Sequence, residues 1–194
     1  MTRQQSISTC GIALLLSAAL AGCGISELQE DRYAGPKPSE VAQAAQHLRT
    51  LPPREEAEEA MSNLLKQVIE TTTAASPGLT WRVNQKPSPG THRCKAAESE
   101  AGGTSVDFGF IVSDTPVPDK DWPGVADAVR TAVNSAASTA HSLPYGTSGK
   151  YNVTYSSRTT GAILSLTSAV AAVIEANTGC RLTKEQLATP PTTR

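Results

Sequence analysis

The apolar run from Cys10 to Leu20 closes on Leu20-Ala21-Gly22-Cys23, and no other stretch constrains the chain as strongly. A bilayer-spanning helix needs about 20 predominantly apolar residues, and this run falls short. Arg3 and the amino terminus put positive charge ahead of it, the layout of an export signal. Ala21 and Gly22 are small enough for a narrow peptidase cleft, and a Cys directly after them fits a lipoprotein cleavage site. Residues 1–22 are therefore expected to be a lipoprotein signal peptide, with Cys23 the lipidated residue that takes a diacylglyceryl group. Ordinary secretory cleavage with Cys23 incidental is the alternative. Each buried methylene contributes about 0.8 kcal/mol, so two acyl chains anchor stably where one does not. The expected location is the outer face of the plasma membrane, lipid-anchored and extracytoplasmic.

What folds is then the chain beyond Cys23, in an oxidising compartment. Cys10 leaves with the signal and Cys23 carries lipid, so Cys94 and Cys180 remain. They are expected to pair as one disulfide across most of the domain. A reactive thiol and a metal site are the alternatives. His92 stands two residues from Cys94, but a structural zinc takes four ligands and no fourth candidate is near. No metal and no cofactor is implied.

Seventeen basic and 18 acidic side chains leave the chain close to neutral. Nucleic acid would call for a basic stripe, so it is excluded as a partner, and anchoring falls to the acyl chains rather than to charge. Aromatics are only 4%, so the core must be built from small aliphatics.

Residues 23–38 contain acids, Gly35, Pro36 and Pro38 and read as a flexible tether. Residues 39–184 form a single α+β domain, and 185–194 a disordered tail. Ser39 is a candidate cap for a helix from Glu40 to Arg49. A second helix begins at Pro53, with Glu55, Glu56, Glu58 and Glu59 at its positive end. Ala57, Met61, Leu64, Leu65, Val68 and Thr72 give it one apolar face. A third helix, capped by Asp121, is expected to reach Ser142 and to bury Trp122, Val125, Val129 and Val133.

Strict alternation predicts strands at Leu79–Asn84, with Leu79, Trp81 and Val83 on one side. It predicts another at Ser105–Ser113, where Val106, Phe108, Phe110 and Val112 share a face, and a third through Tyr151, Val153 and Tyr155. Residues 85–104 read as a loop. Residues 162–176 fit either one helix, favoured by their alanines, or a hairpin of roughly 161–167 and 171–182, favoured by Val170, Val173 and Ile174.

The chain resembles the mycobacterial LppA/LppV-type lipoproteins in several short stretches. After Leu20-Ala21-Gly22-Cys23 come Ser76-Pro77-Gly78-Leu79-Thr80-Trp81 and Val106-Asp107-Phe108-Gly109. Pro118-Asp119-Lys120-Asp121-Trp122-Pro123 then leads a helix carrying Val129-Arg130, and Asn177-Thr178-Gly179-Cys180-Arg181-Leu182 closes the pattern. The resemblance spans residues 39–184. It implies an exported, lipid-anchored protein with the Cys94–Cys180 bridge and strands at 162–176, and it brings no activity with it. The expected fold is an antiparallel sheet of four to five strands with helices packed on one face and one disulfide.

No Gly-x-Ser-x-Gly elbow is present. Gly149-Lys150 ends like a phosphate loop, but Pro144 and Tyr151 occupy the positions of the first Gly and of the magnesium-binding hydroxyl. His47 is placed on a helix face, His92 in a surface loop and His141 at a favourable helix end. Asp107 should point away from the apolar face and be solvated or salt-bridged, although pairing with Asp114 or Asp119 as acid and base is conceivable. Asn152-Val153-Thr154 matches a glycosylation sequon inside a predicted strand. No catalytic residue is assigned and the protein is not expected to be an enzyme. A non-catalytic partner-binding or scaffolding module is expected, and a carrier of a lipid or other apolar envelope molecule is the alternative.

Overall fold

The computed structural model describes residues 35–136 and 140–189. The expected signal peptide, Cys23 and the expected tether up to residue 34 lie outside the described residues, as does the expected tail from residue 190.

Helix α1, Pro38–Arg49, starts before Ser39, and Lys37 occupies its cap position. Glu40 Oε2 accepts the Lys37 N–H at 2.9 Å, satisfying a donor that a helix start leaves open. Pro38 fits the first turn because its missing N–H is not needed there. Helix α2, Arg54–Ala75, buries Met61, Leu65, Val68 and Thr72 at the expected helical spacing.

The strands are β1 (Trp81–Val83), β2 (Ser88–Gly90), β3 (Ser105–Ser113), β4 (Ala140–Thr147), β5 (Lys150–Ser157), β6 (Ile163–Ser168) and β7 (Ala172–Asn177). They form one antiparallel sheet in the order β1-β3-β7-β6-β5-β4, with β2 also paired to β3. That is seven strands rather than four to five, because segments read otherwise supply two of them. β2 lies in the expected 85–104 loop, which also holds helix α3, Ala96–Glu100.

β4 replaces the end of the third helix, which as α4 spans Trp122–Ser135 instead of running to Ser142. Near that end Ser135 Oγ donates to the Ala132 carbonyl at 2.7 Å, the kind of local bond that competes with helix. Pairing with β5 along eight registered positions then sets the strand. β4 is an edge strand, the place in a sheet where a residue such as Pro144 is tolerated. Asp121 occupies the cap position of α4 but makes no capping bond. Its Oδ2 accepts from Ser76 Oγ at 2.9 Å, tying α4 to the end of α2. Helix α5, Lys184–Ala188, takes residues expected in the tail. Thr183 and Gln186 cap it reciprocally, Gln186 N–H to Thr183 Oγ1 at 3.1 Å and Thr183 N–H to Gln186 Oε1 at 2.8 Å.

Residues 162–176 form the β6–β7 hairpin, not a helix. Leu164, Leu166, Ile174 and Ala176 are buried on one face with Val153, Tyr155, Val106, Phe108 and Ile111, under α2 and α4. The expected alternation of β3 holds only to Phe108. Gly109 has φ +62°, and the register slips between Asp107 and Phe110. This bulge moves Ile111 and Ser113 to the inner face and turns Phe110 out, 46% exposed. Val83, at the sheet edge, is exposed as well, so of the expected Leu79–Val83 alternation Leu79 enters the core, Trp81 packs against it and Val83 does not.

Cys94 and Cys180 are joined, with Cα atoms 5.2 Å apart. The bridge sits in a second small core with Leu48, Leu51 and Leu182. It ties the segment before α3 to the stretch after β7.

Candidate functional site

Alternation along each strand leaves the second sheet face to the remaining residues. The register aligns three rows across it. One runs Asn152, Thr167, Val173, Val112 and Arg82, the next Thr154, Ser165, Glu175 and Phe110, and the third Ser156, Ile163, Asn177 and Asp107. These positions are half-buried or exposed apart from Asn177, and no described helix packs on them. Asn152 Nδ2 donates to Thr167 Oγ1 at 3.3 Å and Thr154 Oγ1 donates to Asn152 Oδ1 at 3.1 Å, giving a face rich in hydroxyl and amide groups.

The segment before α3 folds over one corner of this face and makes a cleft of ≈ 280 Å³. Gln85, Lys86, Ser88, His92 and Arg93 line one wall, and Asp107, Gly109, Phe110 and Glu175 line the other. Gly109 is needed twice, for its backbone angle and because a Cβ there would stand 2.6 Å from Gln85 Oε1. Asp107 Oδ2 accepts from His92 Nε2 at 3.2 Å and Arg93 Nε at 3.1 Å, while its Oδ1 accepts the Gly109 N–H at 2.7 Å. Burial alone would raise the Asp107 carboxyl, but the bonds from Gly109, His92 and Arg93 outweigh it and hold it below its ordinary value.

Asp107 therefore serves as the staple of the cleft wall. A carboxyl with a lowered pKa stabilises the fold above its unfolded pKa and loses that contribution as pH falls through the folded value. Asp107→Asn is expected to cost about 1–2 kcal/mol at pH 7. In thermal melts from pH 7 to 3, the gap between wild type and variant should close below about pH 4. A gap that stays constant would contradict this role.

The structure separates the other carboxylates weighed from the sequence. Asp114 pairs with Arg82. Asp119 is held by Ser148 Oγ, with the Gly149 N–H 3.0 Å away, and its carboxyl is lowered chiefly by the Ser148 bond. Asp107 has its own partners, so none of the three shares a proton with another. Among the described residues Ser88 makes no hydrogen bond to His92, although both line the cleft. The disulfide takes Cys94 and Cys180 out of any metal site, leaving His92 to Asp107. His47 lies in the last turn of α1. His141 lies in β4, not at a helix end. Of the four glutamates opening α2, Glu55 Oε2 accepts the Lys184 N–H at 3.0 Å and Glu56 pairs with Lys184 Nζ at 3.3 Å, joining α2 to α5.

Sequence reasoning pointed to His92 and Asp107 separately and missed Arg93, Lys86 and Glu175 as neighbours. The isolated Gly109 within a strand pattern was the readable sign of a bulge there. It gave Arg181 no role beyond its place in the closing Asn177–Leu182 pattern. This side chain is 3% exposed and lines a second groove, of ≈ 250 Å³, between the start of α2 and the residues joining β5 to β6.

The profile of the LppA family, described as a lipoprotein confined to pathogenic Mycobacterium, matches residues 29–184. The crystal structure of the lipoprotein LppA from Mycobacterium tuberculosis has a similar fold, with a TM-score of 0.58 at 16% identity. The match covers 87% of this chain and 96% of that one. No curated protein is significantly similar to the chain.

Proposed function

The chain belongs to the LppA family of lipoproteins, and from that premise we propose a lipid-anchored, non-catalytic module of the envelope that docks a protein partner on the sheet face that no described helix covers. One observation carries the reading. Both long helices cover the same side of the sheet, and the opposite side is left to Thr, Ser and Asn side chains beside Val112, Val173 and Phe110. An interface needs about 800 Å² per partner, and the three rows set Val112, Val173, Phe110 and Ile163 among polar neighbours across several strands. The cleft at Asp107 borders the face and gives it a charged corner.

The anchor in this reading is the acylated Cys23, which holds the domain on the outer face of the plasma membrane. Cys23→Ala should move nearly all of the protein from the membrane to the soluble fraction, because two acyl chains are lost together. For docking, a photo-cross-linking residue is placed at Thr167, on the face, or at Glu59, exposed on α2. In native membranes a discrete protein adduct is expected from position 167 and none from 59. Adducts from neither position, or from both alike, would sink the docking face. The second reading, a binder of an apolar envelope molecule, draws on the groove at Arg181.

A further inference from the structure

Arg181 carries a buried cation with little to satisfy it. Its Nη1 donates to the Thr160 and Cys180 carbonyl oxygens, at 2.6 and 2.7 Å. Its Nε is buried and has no acceptor among the described residues. No carboxylate among them forms a salt bridge with it, and Glu98 acts on it only through space. Burial brings its pKa down to about 10, so the group remains a cation at neutral pH. Buried charges are ordinarily paired, since desolvation costs several kcal/mol per ion. Two neutral carbonyls are a weak answer to that cost.

The space beside it is apolar. Pro52, Ala57, Ala60, Met61 and Leu64 form the helix wall of the groove, and Arg181 lies at its polar end with Thr160 and Thr178. Glu56, the acid on the rim, is engaged by Lys184. An unpaired guanidinium at one end of an apolar trough matches a molecule with one anionic head and a single hydrocarbon tail. At ≈ 250 Å³ the groove is small beside the usual ligand range of about 300–1,000 Å³, which suits one medium-length chain rather than a two-tailed lipid.

We propose that this groove binds a single-chain anionic amphiphile, with the head group on Arg181 and the tail along α2. The site gives the second functional reading its ligand class. It lies on the helix side of the sheet, away from the docking face, so either assignment can fail without the other.

The test uses the chain from residue 23 onward carrying Cys23→Ser, which needs no detergent, and isothermal titration with three probes. Decanoate is expected to bind one to one. Decanol, with the same tail and no charge, should bind at least about tenfold more weakly, as loss of a charged hydrogen bond implies. Acetate, with the charge and no tail, should not register. Arg181→Gln should bring decanoate down to the level of decanol. Ala57→Trp, which fills the trough and leaves the arginine in place, should abolish both and keeps the test open should Arg181→Gln fail to fold. Equal affinity for decanoate and decanol, decanoate binding unchanged in either variant, acetate binding as tightly as decanoate, or no binding of decanoate at all would overturn the proposal.

Discussion

Replacing Cys94 and Cys180 together with Ala lowers the unfolding free energy by about 4 kcal/mol. The bridge spans 86 residues, so without it the unfolded chain regains the entropy of a loop running from before α3 to beyond β7. Domains of this kind hold about 5–15 kcal/mol in total, and the loss is therefore a large part of it. The packing around the bridge is adapted to it as well. A Cβ at Gly103 would stand 2.4 Å from Cys180 Sγ and 2.9 Å from Leu48 Cδ1, so the glycine makes room for the sulfur. Denaturant unfolding of the double variant should show the lower midpoint and also a steeper slope, because an uncrosslinked unfolded state exposes more surface. Reduction of the wild-type protein should reproduce both changes. A loss below about 1 kcal/mol would mean that the bridge only decorates a fold fixed by its cores.

Leu166→Ala costs about 2–5 kcal/mol, whereas Thr167→Ala stays within about 0.5 kcal/mol. Leu166 is fully buried between Val153 on β5 and Ile174 on β7 and touches the layer made by α2 and α4. Its neighbour Thr167 points to the face that no described helix covers, where truncation leaves no cavity. The contrast between adjacent residues is the signature of a strand, whose side chains alternate between faces. A helix through the same residues would group Ile163, Leu166, Val170 and Val173 on one face. In the structure Val170 lies in the turn of the hairpin, 89% exposed, so Val170→Ala should also be nearly silent in urea melts. Comparable losses at 166 and 170 would restore the helix and dismantle the sheet order.

That hairpin shows where the sequence stops being legible. The alanines of 162–176 carry helix propensity worth tenths of a kcal/mol each, and burial between two neighbouring strands outweighs it. One of those neighbours is distant in the chain, since β7 pairs with β3 on one side and with β6 on the other. β4 is set by pairing too, since its partner β5, next in the chain, overrides the helical pattern expected to continue α4. Locally encoded features were readable, among them the buried face of α2, the pairing of the last two cysteines and the early half of β3. The cleft was only partly so. His92, Asp107 and Glu175 come from three separate segments, and their meeting depends on the Gly109 bulge and on the fold of residues 85–93 over the sheet. The role of Arg181 was not legible because its environment is assembled from α2, the β5–β6 connection and the chain beyond β7.

The most direct test of the docking face is hydroxyl-radical footprinting of the acylated protein in its native membrane and, in parallel, after purification. Phe110, Val112, Ile163 and Val173 are expected to be modified in the purified protein and protected in the membrane, with the exposed Val170 as an internal reference modified in both. Equal modification of all four residues in the two preparations would contradict a lipid-anchored domain that docks a partner through this side of its sheet.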